Sequence, residues 1–158
     1  MEELHLTVDV QIILLGMGMS REGTPTHNVF LKGFRNRVYL ALDEDNHVRQ
    51  LYENRLGAQS LGKIWLQDII KNGRFKPFPL KQLPTPMRVK LEESHFDQSD
   101  IKYIRLAMST RSGCLISEDD DYSPKVCKIL KKEGVYVHSA ESACNLVNQA
   151  NQEGQATV

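Results

Sequence analysis

The stretch DQSDIKYIRLAMSTRSGCLISEDDDY, Asp97 to Tyr122, holds the elements that decide the fold: a helix, a strand and a carboxylate cluster in succession. Ile101, Ile104, Ala107 and Met108 recur at helical spacing, with Asp97 placed to cap the helix and Asp100 in its first turn. Asp100, Ile104 and Ala107 share one face, so the Asp100 carboxylate points toward the body of the protein, where it needs a cation or a donor. Gly113 breaks the helix, and Cys114 to Ser117 form an apolar run of the length of a buried strand. Asp119, Asp120 and Asp121 follow at once, and Ser123 and Pro124 then open another helix as N-cap and first helical residue. The aspartates thus occupy a strand-to-helix loop at a strand's carboxyl end, where open α/β sheets bind ligands. A polar turn near a helix N-terminus accounts for any one of them. Three adjacent carboxylates repel one another, and a hard divalent cation relieves that repulsion.

The 158 residues are long enough for one domain with a substantial core, and 41% hydrophobic with 25% charged residues is the composition of an ordinary soluble globule. Twenty basic and twenty acidic residues cancel, so attraction to a polyanion has to come from a local patch. Cys114, Cys127 and Cys144 are odd in number and lack zinc-ligand spacing, which speaks for a reducing compartment and three small core residues. The amino end is acidic, and Ile12 to Leu15 is too short to span a membrane, so a cytoplasmic protein without membrane association is expected.

Leu4, Leu6 and Val8 alternate with polar residues as a strand that ends at Asp9, and an apolar segment from Val10 to Met19 reads as a buried helix. Gly23 breaks it. Thr24 and Pro25 start a second helix carrying Val29, Phe30 and Phe34. Val38 to Leu42 read as the second strand, and Asp43 caps a helix with Val48, Leu51, Tyr52 and Leu56. A further helix carries Leu61, Ile64, Trp65, Leu66 and Ile69. Gly73 to Lys90 contains Pro77, Pro79, Pro84 and Pro86 and reads as an extended connector. Its Arg74, Lys76, Lys81, Arg88 and Lys90, interleaved with Phe75 and Phe78, suit a nucleic-acid strand; a solvated loop with its phenylalanines tucked inward fits the same residues. Val126, Ile129 and Leu130 mark a helix stopped by Gly134, Val135 to Val137 a strand, and Ser139 the start of a last helix. From Asn148 the chain turns polar, giving one domain over residues 1–150 and a tail over 151–158. Alternating strands and helices imply a mostly parallel sheet covered on both faces.

With Asp9, Asp100 and Asp119 at strand ends or helix openings, the chain from Leu4 to Val147 resembles the PIN domain family. The nearest stretches are DIKYIRLA at Asp100 to Ala107, and SEDDDY at Ser117 to Tyr122, where the family has T-x-D-x-D-F. The resemblance implies a three-layer α/β/α sandwich around a four- or five-stranded, mostly parallel sheet. It implies a magnesium- or manganese-dependent nuclease, most often a ribonuclease. Asp9, Asp100 and Asp119 would be the catalytic metal ligands, with Asp121 a further ligand. Two positions depart from the family: Gln11 stands where an asparagine is usual, and Gln50 where a helical glutamate is, with Glu53 one turn on as a substitute. These departures raise the alternative of a PIN-like domain that binds nucleic acid or a protein without cutting. Family members also commonly dimerise, and many are toxins held by an antitoxin protein.

A dinucleotide-binding reading, suggested by Gly16 and Gly18, fails at the third glycine, which is Arg21. The five histidines show no ligand spacing; His95 is the one close in sequence to the acidic residues.

Overall fold

The computed structural model describes residues 2–17 and 25–155. Leu6, Thr7 and Val8 are buried in β1 (Leu4–Val8), and all of Cys114, Leu115 and Ile116 in β4 (Cys114–Ile116), as strands covered on both faces require. The other strands are β2 (Val38–Asp43), β3 (Phe75–Phe78) and β5 (Tyr136–His138), and the order across the sheet is β3-β2-β1-β4-β5, parallel throughout. The chain moves outward from β1 to β3, then crosses back to place β4 on the other side of β1. The carboxyl ends of β1 and β4 therefore flank the point where the strand order reverses.

Helices α1 (Val10–Met17), α2 (Pro25–Leu31), α4 (Leu61–Lys71) and α8 (Ala140–Gln155) pack together on one side. On the other, α6 (Ile101–Ser109) lies over β1, β2 and β4, and α5 (Thr85–Glu93) packs on α7 (Pro124–Lys132). With α3 (His47–Arg55) after β2, this makes the α/β/α sandwich expected from the sequence. Among the described residues no helix is long and apolar enough to cross a membrane.

The helix starts follow local chemistry. Ser60 and Ser123 accept from the backbone N–H groups of Lys63 and Val126, so both act as N-caps. Asp43 serves α3 from a turn away: its carboxylate accepts from His47 and Val48 N–H at 3.0 and 2.8 Å, while Asn46 takes the left-handed conformation between them. Gly16 lies inside α1, where a side chain would collide with Leu31 and the His27 backbone, so it is a helix-packing glycine. Gly18, Arg21, Gly23 and Thr24 lie outside the described residues.

Several expectations need correction. The proline-rich Gly73–Lys90 segment is not an extended connector: it contains β3 and most of α5. Pro77 is accommodated because β3 is an edge strand, and Pro84 and Pro86 because they stand at a helix N-terminus, where missing N–H groups cost nothing. Val29, Leu61 and Ile64 are about half exposed (57%, 51% and 48%) rather than core residues. The last helix runs through the polar residues to Gln155, with Asn151 buried and donating to the Gly33 carbonyl at 3.2 Å.

Gly113, between α6 and β4, has φ +65°, and a Cβ there would fall onto the Gly134 carbonyl oxygen. Gly73 has a similar φ of +64° with open space around it. Gly113→Ala should therefore lower stability by at least about 2 kcal/mol and Gly73→Ala by about 1 kcal/mol. Urea midpoints at constant m check this, and equal losses at the two positions would contradict the close backbone approach.

Candidate metal centre

Asp9 is 3% exposed, at the end of β1, and its own N–H donates to Ile116 at the end of β4 at 2.9 Å. Its carboxylate accepts from the Gln11 N–H at 3.0 Å and from the Ser117 hydroxyl at 2.8 Å. The Ser117 oxygen in turn accepts from Asp119 N–H at 3.2 Å, and the Asp119 carboxylate from Asp121 N–H at 2.9 Å. Asp121 accepts from Asp97 N–H at 3.3 Å, and Asp97 from the N–H and hydroxyl of Ser99, both at 2.9 Å. One hydrogen-bonded chain thus joins the end of β1, the β4–α7 loop and the turn before α6.

Asp9, Asp97, Asp100 and Asp119 line a cavity of about 240 Å³, with Arg55 the one cation on its wall among the described residues. Below it, Tyr103 accepts from Val10 N–H at 3.2 Å, Tyr52 donates to the Val8 carbonyl, and the two rings stack at 6.5 Å. Both phenols are held protonated, chiefly by burial. The tyrosines fix the backbone on either side of Asp9.

Burial pushes the Asp9 carboxyl up, against the Gln11 and Ser117 hydrogen bonds that favour its charged form. Asp100, pressed by burial and then by Asp9, Asp119, Asp97 and Asp121, is raised to about 7. Asp97 goes the other way, lowered first by the Ser99 N–H bond and then by the Ser99 hydroxyl. One exposed, readily ionised carboxylate and two that resist ionisation share a small space. That arrangement favours a cation.

Of the residues proposed from the sequence, Asp9, Asp100 and Asp119 meet in this cavity, together with Gln11. Among the described residues the grouping close enough to share an ion is a different one: carboxylate oxygens of Asp97, Asp100 and Asp121 lie within 4.8 Å of one another. Asp100 and Asp121 are among the ligands read from the sequence, and Asp97 is the addition. Asp97 was readable as a cap alone, yet it stands three residues before Asp100 across a 3₁₀ turn (Gln98–Asp100), where positions i and i+3 align. That D-x-x-D spacing is the signal for it. Ser117 and Arg55 had none, since a serine closing a strand and an arginine in a helix's last turn are ordinary.

Gln50 and Glu53 are not on this cavity: they line a separate recess with Asp45, Asn46 and Arg49, and Glu53 pairs with Arg49 at 3.5 Å. Gln11 uses its backbone to hold Asp9 and its side-chain oxygen to accept from Glu118 N–H at 3.3 Å, so it braces the acidic loop. The basic residues of 74–90 do not gather at the cavity. Arg74 donates to the Asn36 and Val38 carbonyls and covers the Tyr39 ring at 4.2 Å, at the amino end of the sheet. Lys76 also sits over Tyr39, Lys81 joins its backbone to Arg105, and Arg88 is exposed on α5. His95 stands exposed at positive φ in the turn after α5.

No known protein family matches the chain, and no curated protein is significantly similar to it.

The folded protein keeps a proton on Asp100 that the unfolded chain, with a carboxyl near 3.8, has released. Between 3.8 and about 7 the native state binds more protons, so this group's contribution to stability falls as pH rises through that window. Urea denaturation in chelator should show a declining midpoint there, and Asp100→Asn should flatten the decline and raise the midpoint at about pH 8. Superimposable pH profiles for the two proteins would show that Asp100 is not under this pressure.

Proposed function

We propose that the acidic cavity binds magnesium or manganese and that the protein is a metal-dependent nuclease acting on RNA. The observation that carries the reading is the convergence of five aspartates, Asp9, Asp97, Asp100, Asp119 and Asp121, from three separate segments at the switch point of a parallel sheet. The resemblance of the chain to PIN domains points the same way.

The donor set fits such an ion. All the donors are carboxylate oxygens, which hard divalent cations prefer, and opposite ligands of magnesium stand about 4.2 Å apart. Adjacent ligands stand closer, about 3 Å apart, so the Asp97, Asp100 and Asp121 oxygens, within 4.8 Å of one another, would draw together around an ion. When bound, the cation would acidify a water molecule and offset charge on a phosphodiester.

The chain's own residues have separate tasks in this reading. Asp97 and Asp121 supply carboxylates from two loops that already share a hydrogen bond. Asp100 gives up its proton as the ion enters, so binding strengthens with pH. Asp9, fixed by Ser117 and the Gln11 N–H, faces the same space from the buried side and keeps its orientation without help from a side-chain amide. Arg55 on the rim provides a cation for a phosphate oxygen.

The second reading, binding without cleavage, draws on Glu53, whose carboxylate faces Arg49 and leaves α3 without an acid on the cavity wall. Labelled single-stranded RNA separates the two. The nuclease reading expects cleavage with manganese, none with chelator, and a loss of about a hundredfold in Asp119→Asn, whose amide oxygen can still accept from Asp121 N–H. RNA bound but left intact at every manganese concentration would favour the binding module.

A further inference from the structure

Of the five cations in residues 74–90 that suit a nucleic-acid strand, the structure turns Arg74 and Lys76 toward Tyr39, away from the cavity. A second basic surface, which takes in Lys90, lies between α5 and α7. Where α5 packs on α7, a recess of about 360 Å³ is lined by Lys90, Glu93, Lys125, Lys128, Ile129 and Lys132. Lys125, Lys128 and Lys132 are spaced i, i+3, i+7, so they form one stripe along α7, and Lys90 faces them from α5. None of the four lysines has an ion-pair partner among the described residues, and Glu93 is the single acid on the recess.

Helix chemistry does not account for the whole stripe. Lys131 and Lys132 in the last turn complement the helix dipole, but Lys125 stands in the first turn, beside the N-cap Ser123, where a cation opposes it. In a chain with no net charge, an unpaired cluster of this kind is a local field that a polyanion would meet.

The near end of the stripe is also tied to the acidic centre. Lys125 follows Asp121 by four residues, a reach of at most about 14 Å. Glu93 precedes Asp97 by four, and Asp97 and Asp121 are joined by the 3.3 Å hydrogen bond that closes the gap between the two helices. A strand lying along the lysines would run directly onto the aspartates.

We infer that the α5–α7 recess, through Lys90, Lys125, Lys128 and Lys132, is the track that holds the phosphate backbone of a single-stranded nucleic acid and leads it to the acidic cavity. The inference rests on the nuclease reading for its purpose and names the path of the substrate. Binding along the track needs no metal and no cleavage, so it can fail or stand separately from that reading.

The experiment follows fluorescence anisotropy of labelled oligouridylate in chelator, on the full chain, over a series of salt concentrations. The Lys125→Gln/Lys128→Gln/Lys132→Gln variant should bind at least about tenfold more weakly, and its slope of log affinity against log salt should shrink by about 2, near 0.7 for each phosphate that no longer meets a lysine. The charge-matched variant Lys71→Gln/Lys76→Gln/Lys81→Gln should stay within about twofold of the parent, with its slope unchanged. All six side chains lie outside the core, and equal melting temperatures confirm that folding is intact. Equal weakening in the two triple variants would overturn the track, as would an unchanged slope in the α7 variant. A normal lysine effect in a protein that never cleaves RNA would leave the track standing and remove the nuclease.

Discussion

The hydrogen bond from the Ser117 hydroxyl to the buried Asp9 carboxylate is the contact on which the rest of the site depends. It joins the ends of two neighbouring strands at the place where the sheet reverses its order, and it lets a carboxylate sit in the core without losing all of its partners. Ser117 also receives the Asp119 N–H, so the same oxygen that steadies Asp9 sets the start of the acidic loop. From there each aspartate is placed by the one before it, through Asp121 to Asp97. The cluster is a consequence of backbone geometry propagated through side-chain acceptors.

Such a site is under strain of an electrostatic kind. Asp100 resists ionisation first because it is half-buried and then because four other carboxylates share its surroundings, and Arg55 is the one cation on the cavity wall among the described residues. A protein selected for stability alone would have replaced one or more of these acids with amides. Keeping them fits a site completed by something positive.

Much of this was legible before the structure. The alternation of Leu4, Leu6 and Val8 fixes β1 and hence the position of Asp9; the apolar run before the triple aspartate fixes β4; Ser123 with Pro124 fixes the start of α7. These are local signals with local causes. What misled was a count of prolines between Gly73 and Lys90: proline forbids a central strand or a helix interior, but an edge strand and a first helical turn admit it, and which of these applies depends on neighbours far away in sequence. Glu53 lies off the cavity for a related reason, since helical periodicity gives its face but not which recess that face borders. Arg74 shows the converse error: an arginine among aromatics reads as a ligand-binding group, and here its partners are two carbonyls and a tyrosine of its own fold.

The sheet order bears on how the molecule is made. β1, at the centre, pairs on one side with β2, some thirty residues later, and on the other with β4, more than a hundred residues later. Half of its hydrogen-bonding capacity must wait for a distant segment, which is slow in a folding chain. During synthesis Asp9 emerges more than a hundred residues before β4, so in the nascent protein the acidic segments stay apart until β4 has been made. Any activity that depends on their meeting is therefore withheld until the sheet closes.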